Sequence, residues 1–184
     1  FEPFVGGGAL FFHLAQKGLR APALSDVNGR LIRAYRGVRD CVEDVIGLLR
    51  TYPHDEAFFR RMRARNIDKE GDAATAAWLI YLNRTGFNGL YRVNQSGKVN
   101  VPFGDYDAPN LCDAPNLRAC SRVLAGVELR CEPFDAAAAR AQAGDFVYFD
   151  PPYVPLSATS SFSAYTAEGF GLEHQQRLAR LARA

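Results

Sequence analysis

Short apolar runs that end in an acid alternate along this chain with stretches where apolar residues return every three or four positions. The first pattern predicts strands of a buried parallel sheet, the second amphipathic helices. Phe1-Glu2-Pro3-Phe4 reads as the tail of one strand, Ala23–Asp26 as a second, Val127–Cys131 as a third, and Phe146–Phe149 as a fourth, fully buried one. Between them the spacing predicts an apolar helix after the glycines at 6–8, a helix over Arg30–Tyr35 capped by Asn28, and helical pattern from about Gly37 to Arg65, broken by Tyr52-Pro53-His54-Asp55. A further helix starts at a capping Asp72 and runs to Asn83; others cover Leu117–Leu124, Ala136–Ala143 and Gln175–Ala184. The rhythm changes once, over Phe87–Gly104, where short alternating stretches flank Gln95-Ser96-Gly97 as in a β-hairpin. Strand alternating with helix predicts an α/β fold, and the hairpin and its helices read as an insertion.

Composition bounds this picture. A chain of 184 residues, 48% hydrophobic and 23% charged, holds one domain with room for an inserted subdomain. The net charge of +2 is too small to mark a nucleic-acid binder by itself, so a basic surface must come from clustering. Arg60, Arg61, Arg63 and Arg65 form one such cluster; Arg84, Arg92 and Lys98 form another. Either is also what a solvated helix or hairpin face would carry. Cys41, Cys112, Cys120 and Cys131 show neither a CxxC pair nor nearby histidines, which points to reduced thiols in a cytoplasmic protein with no metal site and no disulfides. No apolar run reaches the ~18 residues of a membrane span. The opening strand tail and the closing helix both read as cut short, so a fragment of a longer protein is expected.

The candidate chemistry sits where the strands stop. Asp150-Pro151-Pro152-Tyr153 ends the fourth strand with a carboxylate, two rigid residues lacking N–H groups, and a ring. A carboxylate, a fixed carbonyl and an aromatic face can receive a flat, amino-bearing base. Gly6-Gly7-Gly8 permits a sharp turn and a close ligand approach ahead of a helix start, although packing alone also favours such turns. Asp26 follows these glycines by about 20 residues, the separation at which a carboxylate takes ribose hydroxyls. Phe134 and Asp135 after the third strand can flank a purine; equally, Phe134 can be core and Asp135 a helix cap. In open α/β sheets ligands bind at strand C-terminal ends, so these ends together say more than any one. The hairpin carries Asn, Arg, Lys and aromatic side chains, which can pair with base edges and wedge into base steps. A hairpin merely packed on the domain remains the alternative.

Taken together, Glu2-Pro3-Phe4-Val5-Gly6-Gly7-Gly8, Ser25-Asp26-Val27-Asn28, Leu82–Arg92, Asn100–Gly104 and Asp150–Ser157 resemble the Dam-type DNA adenine-N6 methyltransferases, the α-ordered group using S-adenosyl-L-methionine. The likeness covers nearly the whole chain. It implies a Rossmann-like methyltransferase sheet built from residues 1–36 and 117–184, with residues 37–116 as a mainly helical target-recognition subdomain carrying the hairpin. It implies a cofactor site at Glu2, Pro3, Phe4, Gly6, Gly8, Asp26, Phe134, Asp135 and Asp150, and catalysis at Asp150, Pro151, Pro152 and Tyr153. It also implies contact with double-stranded DNA through Arg84, Phe87, Asn88, Leu90, Arg92, Asn94, Asn100, Pro102 and Ser157, reading GATC, in a monomeric protein without a metal. Within Ser157–Ser163, small hydroxyl-rich residues suit a loop that closes over the target strand. One position departs from the family pattern: Asp105 follows Pro102-Phe103-Gly104 where a basic residue is usual.

Three rivals explain part of this. An rRNA guanine-N2 methyltransferase can share the DPPY strand but lacks the long insertion. A DNA-binding remnant without catalysis would keep the hairpin, and a nicotinamide dehydrogenase would use the glycine turn while leaving hairpin and DPPY unexplained.

Overall fold

The computed structural model describes residues 1–18, 22–153 and 169–183. Two regular strands, β1 (Ala23–Asp26) and β2 (Glu128–Cys131), pair in parallel with Ala23 opposite Glu128 and Asp26 opposite Cys131. Two shorter lanes extend this sheet. Glu2 bridges Leu24 in parallel. On the other side of that lane, the Phe1 amino group donates to the Phe146 carbonyl at 2.7 Å and the Tyr148 amide donates to the Phe1 carbonyl at 2.9 Å. Two bonds to one residue that straddle Val147 are the parallel pattern. The lanes therefore run, side by side and in one direction, as Phe146–Tyr148, Phe1–Glu2, β1 and β2.

Eight helices surround or extend the sheet among the described residues: α1 (Ala9–Ala15), α2 (Gly29–Asp40), α3 (Val42–Thr51), α4 (Glu56–Ala64), α5 (Asp72–Thr85), α6 (Ala114–Leu124), α7 (Phe134–Ala138) and α8 (Leu172–Leu181). Asn28 caps α2 as predicted, its Oδ1 accepting from the Leu31 amide at 3.3 Å. The helix runs well past Tyr35 because Val38 continues its buried stripe. Asp55 and Asp113 cap α4 and α6 in the same way.

Three local expectations are corrected. Asp72 is the first residue inside α5 and not its cap, because its carboxylate is drawn to the Arg33 guanidinium at 2.8 Å. Asp135 likewise lies inside α7, which begins at Phe134, and pairs with Arg177 instead of capping a longer helix. Phe146–Phe149 is neither a regular strand nor buried: Phe146 is 69% exposed, and among the described residues its backbone partner is Phe1 alone. One paired residue on one edge cannot sustain a ladder.

A single hydrophobic core extends from Val5 and Leu24 through Ile32, Trp78 and Tyr81 to Val101 and Leu129. Each fully buried large apolar side chain in it stabilises the fold by roughly 1.5–3 kcal/mol. The tightest crossing is α2 on α5 at Gly37, where a Cβ would sit 2.3 Å from the Asp72 carbonyl oxygen. Trp78 is buried beside this crossing and donates its indole N–H to the Met62 carbonyl at 2.7 Å, which joins α5 to α4.

The hairpin forms as predicted but is narrow. Val93 bridges Val99 and Gly86 bridges Phe103, both antiparallel. The turn is closed by the Gly97 amide on the Asn94 carbonyl at 2.8 Å, with Gly97 in the left-handed region at φ 69°. Val93, Val99 and Val101 face inward to the core, which fixes the register of the two arms.

Candidate active site and DNA interface

The parallel lanes bring every strand end to one edge of the sheet. Asp26 ends β1, the glycine turn follows the Phe1–Glu2 lane, Asp150 follows the 146–148 lane, and Phe134-Asp135 follows β2. Asp26 faces the glycine turn: its Oδ2 accepts from the Gly6 amide at 3.2 Å and its Oδ1 from the Asn28 amide at 2.9 Å. Burial raises its pKa, while those amides hold it down. Each oxygen keeps a lone pair for a hydroxyl.

Tyr35 of α2 completes the turn from behind, donating its hydroxyl to the Gly6 carbonyl at 2.9 Å. Gly8 has φ 69°, and a Cβ there would lie 2.6 Å from the Tyr35 hydroxyl oxygen. The glycine at 8 is thus required twice, by its backbone and by its neighbour. Tyr35 carried no local sequence signal as a site residue, since the contact joins positions 29 apart.

Glu2 is 8% exposed, and Pro3 beside it is also buried. The Glu2 carboxyl is pushed up to about 7, first by burial; Asp150 raises it, and the Phe11 amide lowers it. Phe4 heads an aromatic cluster. Its ring stacks on Phe134 at 5.4 Å and meets Phe149 and Phe170 edge-on at 6.5 and 5.5 Å. Phe134 is buried within that cluster, which is the core alternative of the sequence reading. Asp135 pairs with Arg177 through one oxygen, while its Oδ1 is buried without a hydrogen-bond partner among the described residues. A buried acceptor without a donor is costly unless a ligand supplies one.

Around the DPPY segment, Asp150 and Tyr153 are exposed, Tyr153 at 86%. The Pro152 carbonyl accepts from the Gln175 side-chain Nε2 of α8 at 2.7 Å. Gln175 therefore anchors the segment from a helix that the motif itself does not reveal. With Glu2, Asp26, Asp135 and Asp150 at one edge, the site favours a ligand bearing positive charge and hydroxyl or amino donors.

The second surface is the hairpin and the turn before it. Phe87 and Leu90 are 49% and 44% exposed, large apolar side chains standing in solvent. They are presented by a 3-10 turn, Phe87–Gly89, in which Asn88 takes the left-handed conformation at φ 53°. Asn88, Arg84 and Pro102 are exposed on the same stretch. The Asn83 amide closes this turn on the Gly89 carbonyl, and the Phe87 amide donates to the Pro102 carbonyl at 2.9 Å. Arg92 is held across the hairpin by Asn100, with its Nε 2.8 Å from the Asn100 Oδ1. Asn94 shapes the turn, its Oδ1 accepting from the backbone amides of Ser96 and Lys98, both at 3.0 Å. Helix α4 adds cations: Arg60 and Arg63 line, with Lys98 and Asn100, an open crevice of about 400 Å³ beside the hairpin. The two basic clusters, separate in sequence, thus meet. Ser157 and the rest of the Ser157–Ser163 loop lie outside the described residues.

The described residues form a mixed α/β protein with a small parallel sheet, whose strand ends carry acids, and a separate hairpin that carries exposed polar and apolar side chains. All four cysteines are free, no group of metal-ligating side chains occurs among the described residues, and no helix there is long and apolar enough to cross a membrane. The family model described as D12 class N6 adenine-specific DNA methyltransferase matches residues 1–184, and the chain belongs to that family, whose members use S-adenosyl-L-methionine as methyl donor. It is 43% identical over 187 residues to the type II methyltransferase M1.LlaDCHI of Lactococcus lactis subsp. cremoris, covering 97% of this chain and 64% of the relative. It is 38% identical over 195 residues to the type II methyltransferase M.MjaIII of Methanocaldococcus jannaschii (99% and 68%), and 35% over 185 residues to the DNA adenine methylase of Escherichia coli K12 (98% and 65%). The chain therefore spans about two thirds of the length of these relatives.

Proposed function

We propose that the protein transfers a methyl group from S-adenosyl-L-methionine to N6 of an adenine flipped out of duplex DNA, within GATC. The observation that carries this reading is the gathering of Glu2, Asp26 and Asp150 at the ends of parallel lanes, an arrangement that supports a Rossmann-like sheet. The glycine turn, backed by Tyr35, suits the cofactor's methionine part near Glu2, and Asp26 suits its ribose. Asp135, with its unpaired buried oxygen, suits an amino donor such as that of the cofactor's adenine. The gathered acids suit a ligand with ammonium and sulfonium charges. When bound, that ligand supplies an activated methyl group.

The chain's own residues supply position and electrostatics. Adenine N6 is a weak nucleophile because its lone pair is delocalised into the ring, and flipping the base costs a few kcal/mol. Tyr153 offers a face for stacking. The Asp150 carboxylate and the Pro151 carbonyl accept the two N6 hydrogens, which favours a pyramidal nitrogen and stabilises the positive charge that develops on it. Gln175, by engaging the Pro152 carbonyl, holds the segment in place.

DNA recognition falls to the insertion at 37–116. Arg92 and Asn88 are suited to base edges, Leu90 and Pro102 to apolar groove contacts, and Phe87 to a base step. Arg84, Asn94, Asn100 and Ser157 suit the phosphate backbone. We place the protein in the cytoplasm as a monomer.

Incubation with labelled S-adenosyl-L-methionine and a GATC duplex, followed by digestion to nucleosides, tests the proposal. Label in N6-methyladenine is expected. With an rRNA transcript offered in a parallel incubation, label only in RNA would favour the guanine-N2 reading, and duplex binding without label would leave a non-catalytic DNA-binding protein.

A further inference from the structure

Arg30 lies four residues beyond Asp26, in the first turn of α2, yet its side chain reaches to the tip of the hairpin. Its Nε and Nη2 donate to the two carboxylate oxygens of Asp68, each at 2.7 Å, and its Nη1 donates to the Gly97 carbonyl at 2.6 Å. The guanidinium carbon stands 5.7 Å from the centroid of the buried Trp78 ring. One side chain thus joins α2, the 3-10 turn Ile67–Lys69, α5 and the hairpin turn. Tyr91, in the first arm of the hairpin, lies close enough to Arg30 and Asn28 that both lower a hydroxyl pKa raised by burial.

This fork matters because the hairpin is weakly held by its own pairing. A two-stranded ribbon with few bridges is marginal alone, so its orientation is set by what it leans on. The arms are seated by three valines, but Gln95 and Ser96 at the tip are exposed. Gly97 offers no side chain to pack, and a Cβ placed there would meet no atom within 4 Å. The guanidinium is therefore the tie on the tip. A lysine ammonium could not hold a carboxylate by two parallel bonds and a carbonyl by a third in one plane.

We propose that Arg30 is a positioning residue for DNA specificity, holding the tip of the DNA-reading hairpin against the helix that starts beside the cofactor-binding acid. This rests on the reading of the hairpin as the DNA reader. Removing the guanidinium lets the tip move relative to Arg92, Asn100 and Pro102, and the penalty for a wrong base pair falls. Neither the cofactor contacts of Asp26 nor the DPPY segment is touched.

Arg30→Ala, Arg30→Lys and Asp68→Asn variants are compared with the wild type in two measurements. Hydrogen exchange is followed at the amides of Asn94, Gly97 and Asn100, and kcat/KM is measured on a GATC duplex and on duplexes with one base pair changed. Both Arg30 variants should exchange about tenfold faster at these amides and discriminate about tenfold less between duplexes, with the KM for the cofactor changed less than about twofold. Asp68→Asn, which loosens the fork without removing it, should fall between. Unchanged exchange, or faster exchange with unchanged discrimination in a folded variant, overturns the assignment. A wild type that methylates no duplex overturns the functional reading before any variant is compared, whereas variants that discriminate as well as an active wild type overturn only the role of Arg30.

Discussion

Tyr35 and Gly6 are joined by a hydrogen bond of 2.9 Å that ties α2 to the glycine turn at the site edge. Because Gly8 packs against the same hydroxyl, the turn is shaped from behind by one side chain. Tyr35→Phe should remove the bond and keep the ring, weakening cofactor binding by about 1 kcal/mol, or roughly fivefold in Kd. Gly8→Ala should do more harm, since it adds a clash to a left-handed backbone. A stability loss of about 1–3 kcal/mol is expected. Calorimetric titration and thermal unfolding check the two, and a Tyr35→Phe protein that binds normally would remove the turn from Tyr35's control.

Protonation of Glu2 should appear in both stability and binding. Burial lifts its carboxyl from an ordinary 4.5 to about 7, so the folded protein holds this proton more tightly than the unfolded chain does. The resulting stabilisation is complete below about pH 4.5 and is lost as the pH rises through about 7. A cationic cofactor favours the carboxylate, so its binding should tighten over the same rise and release a proton at the acidic end. Titrations below and above pH 7 in buffers of different ionisation enthalpy measure this release, and Glu2→Gln should abolish it. Equal proton release by wild type and variant would place the titrating group elsewhere.

Asp150→Ala should lower methyl transfer by about 10²–10³-fold or more, with cofactor and duplex affinities changed far less, because the carboxylate acts on the amino group only as charge develops there. Single-turnover rates at saturating cofactor and DNA are the measurement. Near-normal turnover would reject the catalytic assignment.

Arg92 is presented by Asn100, which accepts from its guanidinium through both Oδ1 and the backbone carbonyl. Arg92→Ala should cost about 1–3 kcal/mol of discrimination at each base pair it reads, and Asn100→Ala, which frees the guanidinium, a fraction of that. Competition between matched and single-mismatch duplexes gives both values. Parallel losses on matched and mismatched DNA would instead mark Arg92 as a phosphate contact.

Much of this was legible in the residues. Asn28 and the Gln95-Ser96-Gly97 turn act over a few positions, and local chemistry decides them. The separation of the glycines from Asp26 survives as a direct hydrogen bond between Gly6 and Asp26. What misled was competition from far along the chain. Asp72 and Asp135 look like caps until Arg33 and Arg177 claim their carboxylates. The apolar run at 146–149 looks buried because burial depends on what covers a strand, which the run does not record. Tyr35, Gln175 and Arg30 were silent for the same reason: each acts on a backbone carbonyl more than twenty positions away.

The lane order also has a kinetic side. β1 finds β2 about a hundred residues away, and Phe1 finds Phe146 across 145 positions, while α2 to α5 and the hairpin are joined by far closer contacts. Closing the longer loops is entropically favourable only after the intervening helices have collapsed. The sheet edge that gathers the acids should therefore be the last part to assemble, and pulse-labelled refolding should protect the Trp78 region before the β1 amides. The groups read here as catalytic would then come together only once the recognition element is already built.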